Sequence, residues 1–204
     1  MTLLLLRHGE TPLNIARVLQ PADTPLSANG LAQARSLARR LAGSRLAGLV
    51  SSDLPRALQT AQAIAAVTGL SVQTSPLLQE RNFGDLRGQA YDALGFDPLA
   101  MDEAPPGGES TAVFHARVDR AFAWVLERQR AAGGSLAVVT HGLVVRAMLD
   151  RHARLPDGST LPERIANASV SCVSADPPHA ATLVDCTSHL AAGQADDVHA
   201  LSGG

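Results

Sequence analysis

Residues 2–6 read TLLLL, an apolar run with no polar alternation. That pattern predicts a strand buried on both faces. Residues 7–26, rich in proline and polar side chains, predict a loop. Leu31, Ala34, Ala38 and Leu41 then recur at helical spacing, behind candidate caps Ser27 and Asn29. GLVSS (48–52) predicts a second strand. Leu54, Leu58, Ala61 and Ala65 predict a second helix stopped by Gly69. SVQTS (71–75) predicts a third strand. No clear period runs through 76–109, which carries Pro98, Pro105 and Pro106 and is acidic over 92–103. This stretch is expected to be an excursion over the top of a sheet. Phe114, Val118, Ala121, Phe122 and Val125 line one face of a long helix. SLAVVT (135–140) is another buried strand, followed by a helix from about Leu143. Weaker strands follow near 168–175 and 181–186, and 191–204 reads as a frayed tail. No repeats occur.

Strands separated by helical stretches of 10 to 15 residues imply βαβ units. The expected fold is α/β: a three-layer sandwich, mostly parallel, with helices on both faces. One domain is expected over 1–190. In such sheets ligands bind at the carboxyl ends of the strands. There the first strand ends LLLLRHG and the later one LAVVTHG, each delivering a histidine and then a glycine. SSDLPR places Arg56 in the first turn of a helix, where the helix dipole disfavours a cation unless an anion binds.

One crevice could thus hold Arg7, His8, Arg56 and His141, a receptor for a compact dianion such as a phosphoryl group. Guanidinium forks match phosphate oxygens in pairs, and the N–H groups after Gly142 open a helix toward an anion. Arginines beside a histidine lower its pKa, and a neutral imidazole is a competent nucleophile. A leaving alkoxide needs a proton. QERNFGD offers Glu80 as general acid, with Asp85 and Glu10 as rival carboxylates; Glu10 is better suited to bracing its loop.

Composition removes other readings. Aromatics are only 3% and the formal charge is −2, so neither a stacking platform nor a basic stripe for nucleic acid is present. All 17 basic residues are arginine, which excludes Schiff-base lysines and a GxxxxGK phosphate loop. The sixth residue after Cys172 is Pro178 and after Cys186 is Ala192, so there is no C-x5-R nucleophile. The sequence contains no D-x-D, HExxH or GxSxG. Two cysteines make no disulfide framework and are expected as free thiols. His115, His152, His179, His189 and His199 are expected to be structural or exposed. No basic segment precedes the leucines and no apolar run is long enough to span a bilayer. A cytoplasmic location, without a membrane partner, is expected.

RHGETPLN, LQPADTPLSANGLAQA, SSDLPRALQTA, LQERNFGDLRG, PPGGES and VVTHG follow one another in that order, closed by NASVSCVS and LVDCTSHL. In this order they resemble the histidine phosphatase (phosphoglycerate mutase-like) superfamily over nearly the whole chain. The resemblance implies that His8 becomes phosphohistidine and that Arg7, Arg56 and His141 hold the phosphoryl group. Glu80 would protonate the leaving group and then deprotonate water. Asn14, Gln20 and the backbone of Gly142 would contact the phosphate. Neither metal nor cofactor is implied, and the partner is a small phosphorylated metabolite. Mutases of this superfamily carry a lysine after the acid segment; this chain has none, so a phosphomonoesterase is expected. A bisphosphate-dependent mutase and a non-catalytic phospho-ligand binder are the alternatives. The chain also departs from the pattern at Arg87, in GDLRG rather than GDWEG, which implies a second positive group toward the leaving group.

Overall fold

A computed structural model describes residues 1–195. Six strands form one sheet: β1 (Thr2–Arg7), β2 (Leu46–Ser51), β3 (Val72–Thr74), β4 (Ser135–Thr140), β5 (Val170–Ser174) and β6 (Ala181–Cys186). Their order across the sheet is β3-β2-β4-β1-β5-β6. The β1–β4, β2–β4 and β2–β3 pairs are parallel, whereas β5 runs antiparallel to both of its neighbours. The sheet is therefore mixed and mostly parallel, as the alternating pattern predicts.

The short α1 (Pro12–Ile15) lies in the loop after β1, while helices α2 (Ala28–Leu41), α3 (Pro55–Thr68), α4 (Thr111–Ala132) and α5 (Gly142–His152) cover the sheet. The leucines of β1 divide between the faces. Leu3 and Leu5 join Leu136, Val138, Val118 and Val125 under α4 and α5. Leu4 and Leu6 join Leu37, Leu41, Ala57 and Ala61 under α2 and α3. A strand with a packed core on each side has no place for polar alternation, hence the run TLLLL.

Three local readings differ from expectation. Leu31 is 41% exposed, while Leu37 is fully buried. The inward face of α2 is instead set by Gly30, Ala34, Leu37, Ala38 and Leu41. The reason lies at Gly30: a Cβ there would stand 1.9 Å from the carbonyl oxygen of Glu10, so this helix turn meets bare backbone. The loop after β1 contains the short helix α1, capped by Thr11, whose hydroxyl accepts the N–H of Asn14 while the Asn14 side chain receives the Thr11 N–H. Third, the expected tail begins with a 3-10 turn, Ala192–Gln194. It is held on α2 by Gln33 Nε2 donating to the Gln194 carbonyl (2.7 Å) and by Ser36 Oγ donating to Gln194 Oε1 (2.9 Å). The remainder of that tail, with His199, lies outside the described residues.

Other predicted boundaries agree with the structure. Ser27 caps α2 by accepting the Gly30 N–H, and Gly69 ends α3 in the left-handed conformation (φ 72°). Among the described residues, no helix is long and apolar enough to cross a membrane.

Candidate active site

β4 follows β1 by more than 120 residues, yet the two pair directly, with Arg7 opposite Thr140. His8 and His141 each follow these partners, so both emerge side by side. Their ring centroids are 5.1 Å apart with planes at 63°. Both rings are buried, as are Arg7, Arg56, Glu80, Asn14 and Gln20. The structure thus gathers the candidate residues at the carboxyl ends of β1 and β4.

Backbone contacts hold His8 on every side. Its N–H donates to the Thr140 carbonyl (3.0 Å), and its own carbonyl accepts from Asn167 Nδ2 (3.1 Å) and the Ala168 N–H (3.0 Å). Ala168 adopts φ 54°, an uncommon region for alanine that aims its N–H at His8. Nδ1 of His8 lies 2.6 Å from the Gly9 carbonyl. A carbonyl only accepts, so Nδ1 carries the proton and Nε2 presents its lone pair. Burial, then the charges of Arg56 and Arg7, hold the His8 pKa well below the usual histidine range. The ring is therefore neutral at physiological pH.

His141 is neutral for similar reasons: burial first, then Arg56. Its Nε2 lies 2.9 Å from Ser52 Oγ. That hydroxyl also accepts the Leu54 N–H and keeps a proton it can give to Nε2, an arrangement compatible with Nδ1 of His141 as N–H. Nδ1 is buried and lacks a hydrogen-bond partner. A buried N–H of this kind is satisfied when an anionic oxygen binds.

Two arginines complete the cationic wall. A guanidinium nitrogen of Arg7 donates to the Ile165 carbonyl in a short contact. Arg56 stands in the first turn of α3, whose N-cap Leu54 offers no side-chain cap, and reaches the Pro21 carbonyl at 3.4 Å. Burial lowers the Arg56 pKa to about 10, with Arg87 and Arg7 adding to the effect and Glu80 opposing it. Thr60 ties this arginine to the first strand. Its hydroxyl accepts the Gly9 N–H (3.1 Å) and donates to the Arg56 carbonyl (2.8 Å).

Glu80 comes from the 76–109 stretch and meets the first turn of α5, just after His141. Its Oε2 accepts the N–H of Leu143 in the first turn of α5, and its Oε1 accepts the N–H of Arg81, both at 3.1 Å. Burial nevertheless raises its pKa, outweighing those hydrogen bonds and the arginine charges. The rival carboxylates are differently placed. Glu10 accepts from Ser27 Oγ (2.6 Å) and Asn29 Nδ2 (3.0 Å), bracing α2, and Asp85 is exposed. Asn14 Oδ1 accepts from the Thr11 N–H (3.0 Å), and Gln20 Oε1 lies 2.8 Å from Thr11 Oγ1, so both amides belong to the loop that follows His8. Gly142 opens α5 beside them.

Several site residues escape sequence reasoning. Ser52, Thr60, Asn167 and Arg117 contact no expected ligand; they position those that do. Arg117 donates to the carbonyls of Leu77 (3.0 Å), Gln79 (2.6 Å) and Glu80 (3.1 Å), while pairing with Glu109 at 2.7 Å. Polar residues directly before or after apolar strands, as in VSS and NASV, are the signal that marks Ser52 and Asn167. Arg117 lies on a helix and carries no such mark. Arg87 is half-buried, and its charge is felt at Glu80 and Glu109 as well as at Arg56, although it does not line the neighbouring cleft. Beyond Glu80 and Arg7 opens a cleft of about 440 Å³, walled in part by Gly142, Leu143 and Ile165. Away from the site, Cys172 and Cys186 are free thiols, and Cys186 Sγ accepts from Arg40 at 3.3 Å.

Buried cations, neutral imidazoles and one carboxyl of raised pKa form a site suited to a phosphoryl group and a departing alkoxide. Comparisons with known proteins agree. A protein of Yersinia pestis described as probable phosphoglycerate mutase GpmB is 34% identical over 179 residues, covering 83% of this chain and 82% of its own. The solved mycobacterial glucosyl-3-phosphoglycerate phosphatase is 31% identical with a TM-score of 0.72, covering 84% of this chain and 89% of its own. The alpha-ribazole phosphatase of Shigella flexneri is 28% identical with a TM-score of 0.77, covering 93% and 97%. Residues 3–185 match the histidine phosphatase superfamily (branch 1), and the chain belongs to that family.

Proposed function

We propose that this chain is a phosphomonoesterase that hydrolyses a small phosphorylated metabolite through phosphohistidine on His8, without a metal ion or cofactor. One observation carries the reading: Nδ1 of His8 is spent on the Gly9 carbonyl, which turns the Nε2 lone pair out beside Arg7 and Arg56. Nε2 attacks phosphorus as the bond to the leaving oxygen breaks. Arg7, Arg56 and the Nδ1–H of His141 neutralise the phosphoryl oxygens. The Glu80 carboxyl gives its proton to the leaving oxygen. A water then attacks the phosphohistidine, Glu80 takes the water's proton, and inorganic phosphate departs with His8 restored. Asn14, Gln20 and the Gly142 backbone complete the phosphate pocket.

The test is turnover of an artificial aryl phosphate in EDTA, combined with rapid quenching under alkaline conditions. Wild type is expected to give free phosphate and a label on His8, stable to base and labile to acid; His8→Ala gives neither. Undiminished turnover by His8→Ala would overturn the reading. A second reading, mutase-type transfer, is favoured by the name of the Yersinia pestis relative. Against it stands the absence of lysine, since a bisphosphate needs further cations. Efficient phosphoryl exchange between phosphoglycerates with added bisphosphoglycerate would establish it instead.

A further inference from the structure

The cleft beside the phosphate pocket bears on the unknown half of the substrate. It begins where chemistry would end. Leu143, whose N–H holds Glu80 Oε2, forms one wall, and Ile165, whose carbonyl holds Arg7, forms another. Glu80 and Arg7 do not line the space themselves, but these two contacts set it next to them, where the carbon skeleton of an alcohol protonated by Glu80 would extend. About 440 Å³ is far more than glycerate or glycerol fills and is in the range of sites for drug-sized ligands.

The lining describes what fits there. Tyr91, Phe96, Leu99, Leu143 and Ile165 supply apolar surface. Phe96 is 48% exposed, so half of a large ring faces solvent until something covers it. The charged members balance. Arg17, Arg146 and Arg164 are matched in number by Asp92, Asp97 and Glu163, and Arg17 is already paired with Asp92 at 3.4 Å. The charges of the lining sum to zero, so it offers no excess positive charge to draw a further carboxylate or phosphate on the leaving group. Arg81 and Arg87, further cations near Glu80, are absent from the lining.

We infer that the substrate is a phosphomonoester whose leaving alcohol is bulky, net-uncharged and apolar on one face, and that Phe96 and Leu99 are its specificity determinants. The inference rests on the phosphohistidine reading of the site. It excludes small alcohols that carry extra anionic groups as preferred substrates.

The test compares 2-phenylethyl phosphate, glycerol 1-phosphate and 3-phosphoglycerate, all alkyl esters with poor leaving groups. The kcat/KM for 2-phenylethyl phosphate is expected to exceed each of the others by about tenfold or more. Phe96→Ser and Leu99→Ser, at an exposed and a half-buried position, should lower the ratio of kcat/KM for phenylethyl over glycerol phosphate about fivefold to tenfold. A preference for 3-phosphoglycerate, or a ratio that neither variant moves, would overturn the inference. Calorimetric binding to His8→Ala separates this failure from failure of the catalytic reading. Tighter binding of phenylethyl phosphate without wild-type turnover would uphold the cleft and sink the catalysis. Turnover without that preference would do the reverse.

Discussion

At the scale of single residues, the site works by opposing two pKa shifts. Burial and two arginines keep His8 unprotonated, while burial keeps Glu80 protonated above the ordinary carboxyl range. The first step needs both of those states. The expected kcat/KM profile is therefore a bell. It falls on the acid side, below the usual histidine range, as His8 gains a proton, and on the alkaline side as Glu80 loses one. Glu80→Gln cannot titrate, so it should lose the alkaline limb and lower kcat for an alkyl phosphate by about 10²- to 10⁴-fold. For p-nitrophenyl phosphate, whose leaving group needs no proton, the loss should be much smaller. An alkaline limb that persists in Glu80→Gln would move the acid to another residue.

At the scale of elements, the catalytic carboxyl hangs on an irregular stretch that must be made rigid. Arg117 of α4 does this by taking the carbonyls of Leu77, Gln79 and Glu80 onto one guanidinium. Glu109 neutralises the guanidinium and accepts the Asn82 N–H at 3.0 Å, closing the far side of the loop. The Arg117 and Glu109 side chains are only 11% and 16% exposed, so removing one strands the other. Arg117→Met is expected to cost about 3 kcal/mol, read as a shift of the urea midpoint. It should also reduce kcat more than KM, because Glu80 would drift while the phosphate pocket stays. This positioning role was invisible in the sequence, where Arg117 is one of several arginines on a long helix and its three acceptors lie 37 to 40 residues away.

For the whole molecule, gathering a charge-binding site inside a two-sided core has a stability consequence. His8 and His141 are neutral in the folded state at pH values where the unfolded chain protonates them. Unfolding then takes up protons, so stability is retained above the unfolded histidine pKa of about 6.5 and is lost as pH falls below it. His189, lowered to about 4 by burial and Arg40, acts in the same direction. Glu80 acts oppositely, since its raised pKa keeps a proton that the unfolded chain releases. The imidazoles outnumber it. Thermal midpoints should therefore drop between pH 7 and pH 5, with each buried imidazole contributing up to about 1.4 kcal/mol per pH unit. His141→Asn should flatten the drop, and an unchanged slope would show that the ring is protonated in the folded state.

How far the chain could be read follows from the range of each interaction. TLLLL and LAVVT announced buried strands because a strand with a core on each side tolerates no polar residue, and that constraint is local. The motifs RHG and THG announced strand-end histidines for the same reason, and Ser27 and Gly69 announced helix ends through backbone groups that need partners nearby. What local constraint leaves open is which strand lies beside which. The placement of β4 between β2 and β1 brings His141 within 5.1 Å of His8, and neither run of residues encodes that neighbour. Leu31 fits the helical period yet faces out, because the inward face of α2 is decided by Gly30 against the Glu10 backbone. Sequence by itself determined the element types, the fold class and the chemistry of the candidate residues, since these depend on composition and spacing along the chain. Only the tertiary structure decided the meeting of His8 with His141, the clamp on Glu80 and the charge-balanced cleft, because each is made by groups that meet across long stretches of chain.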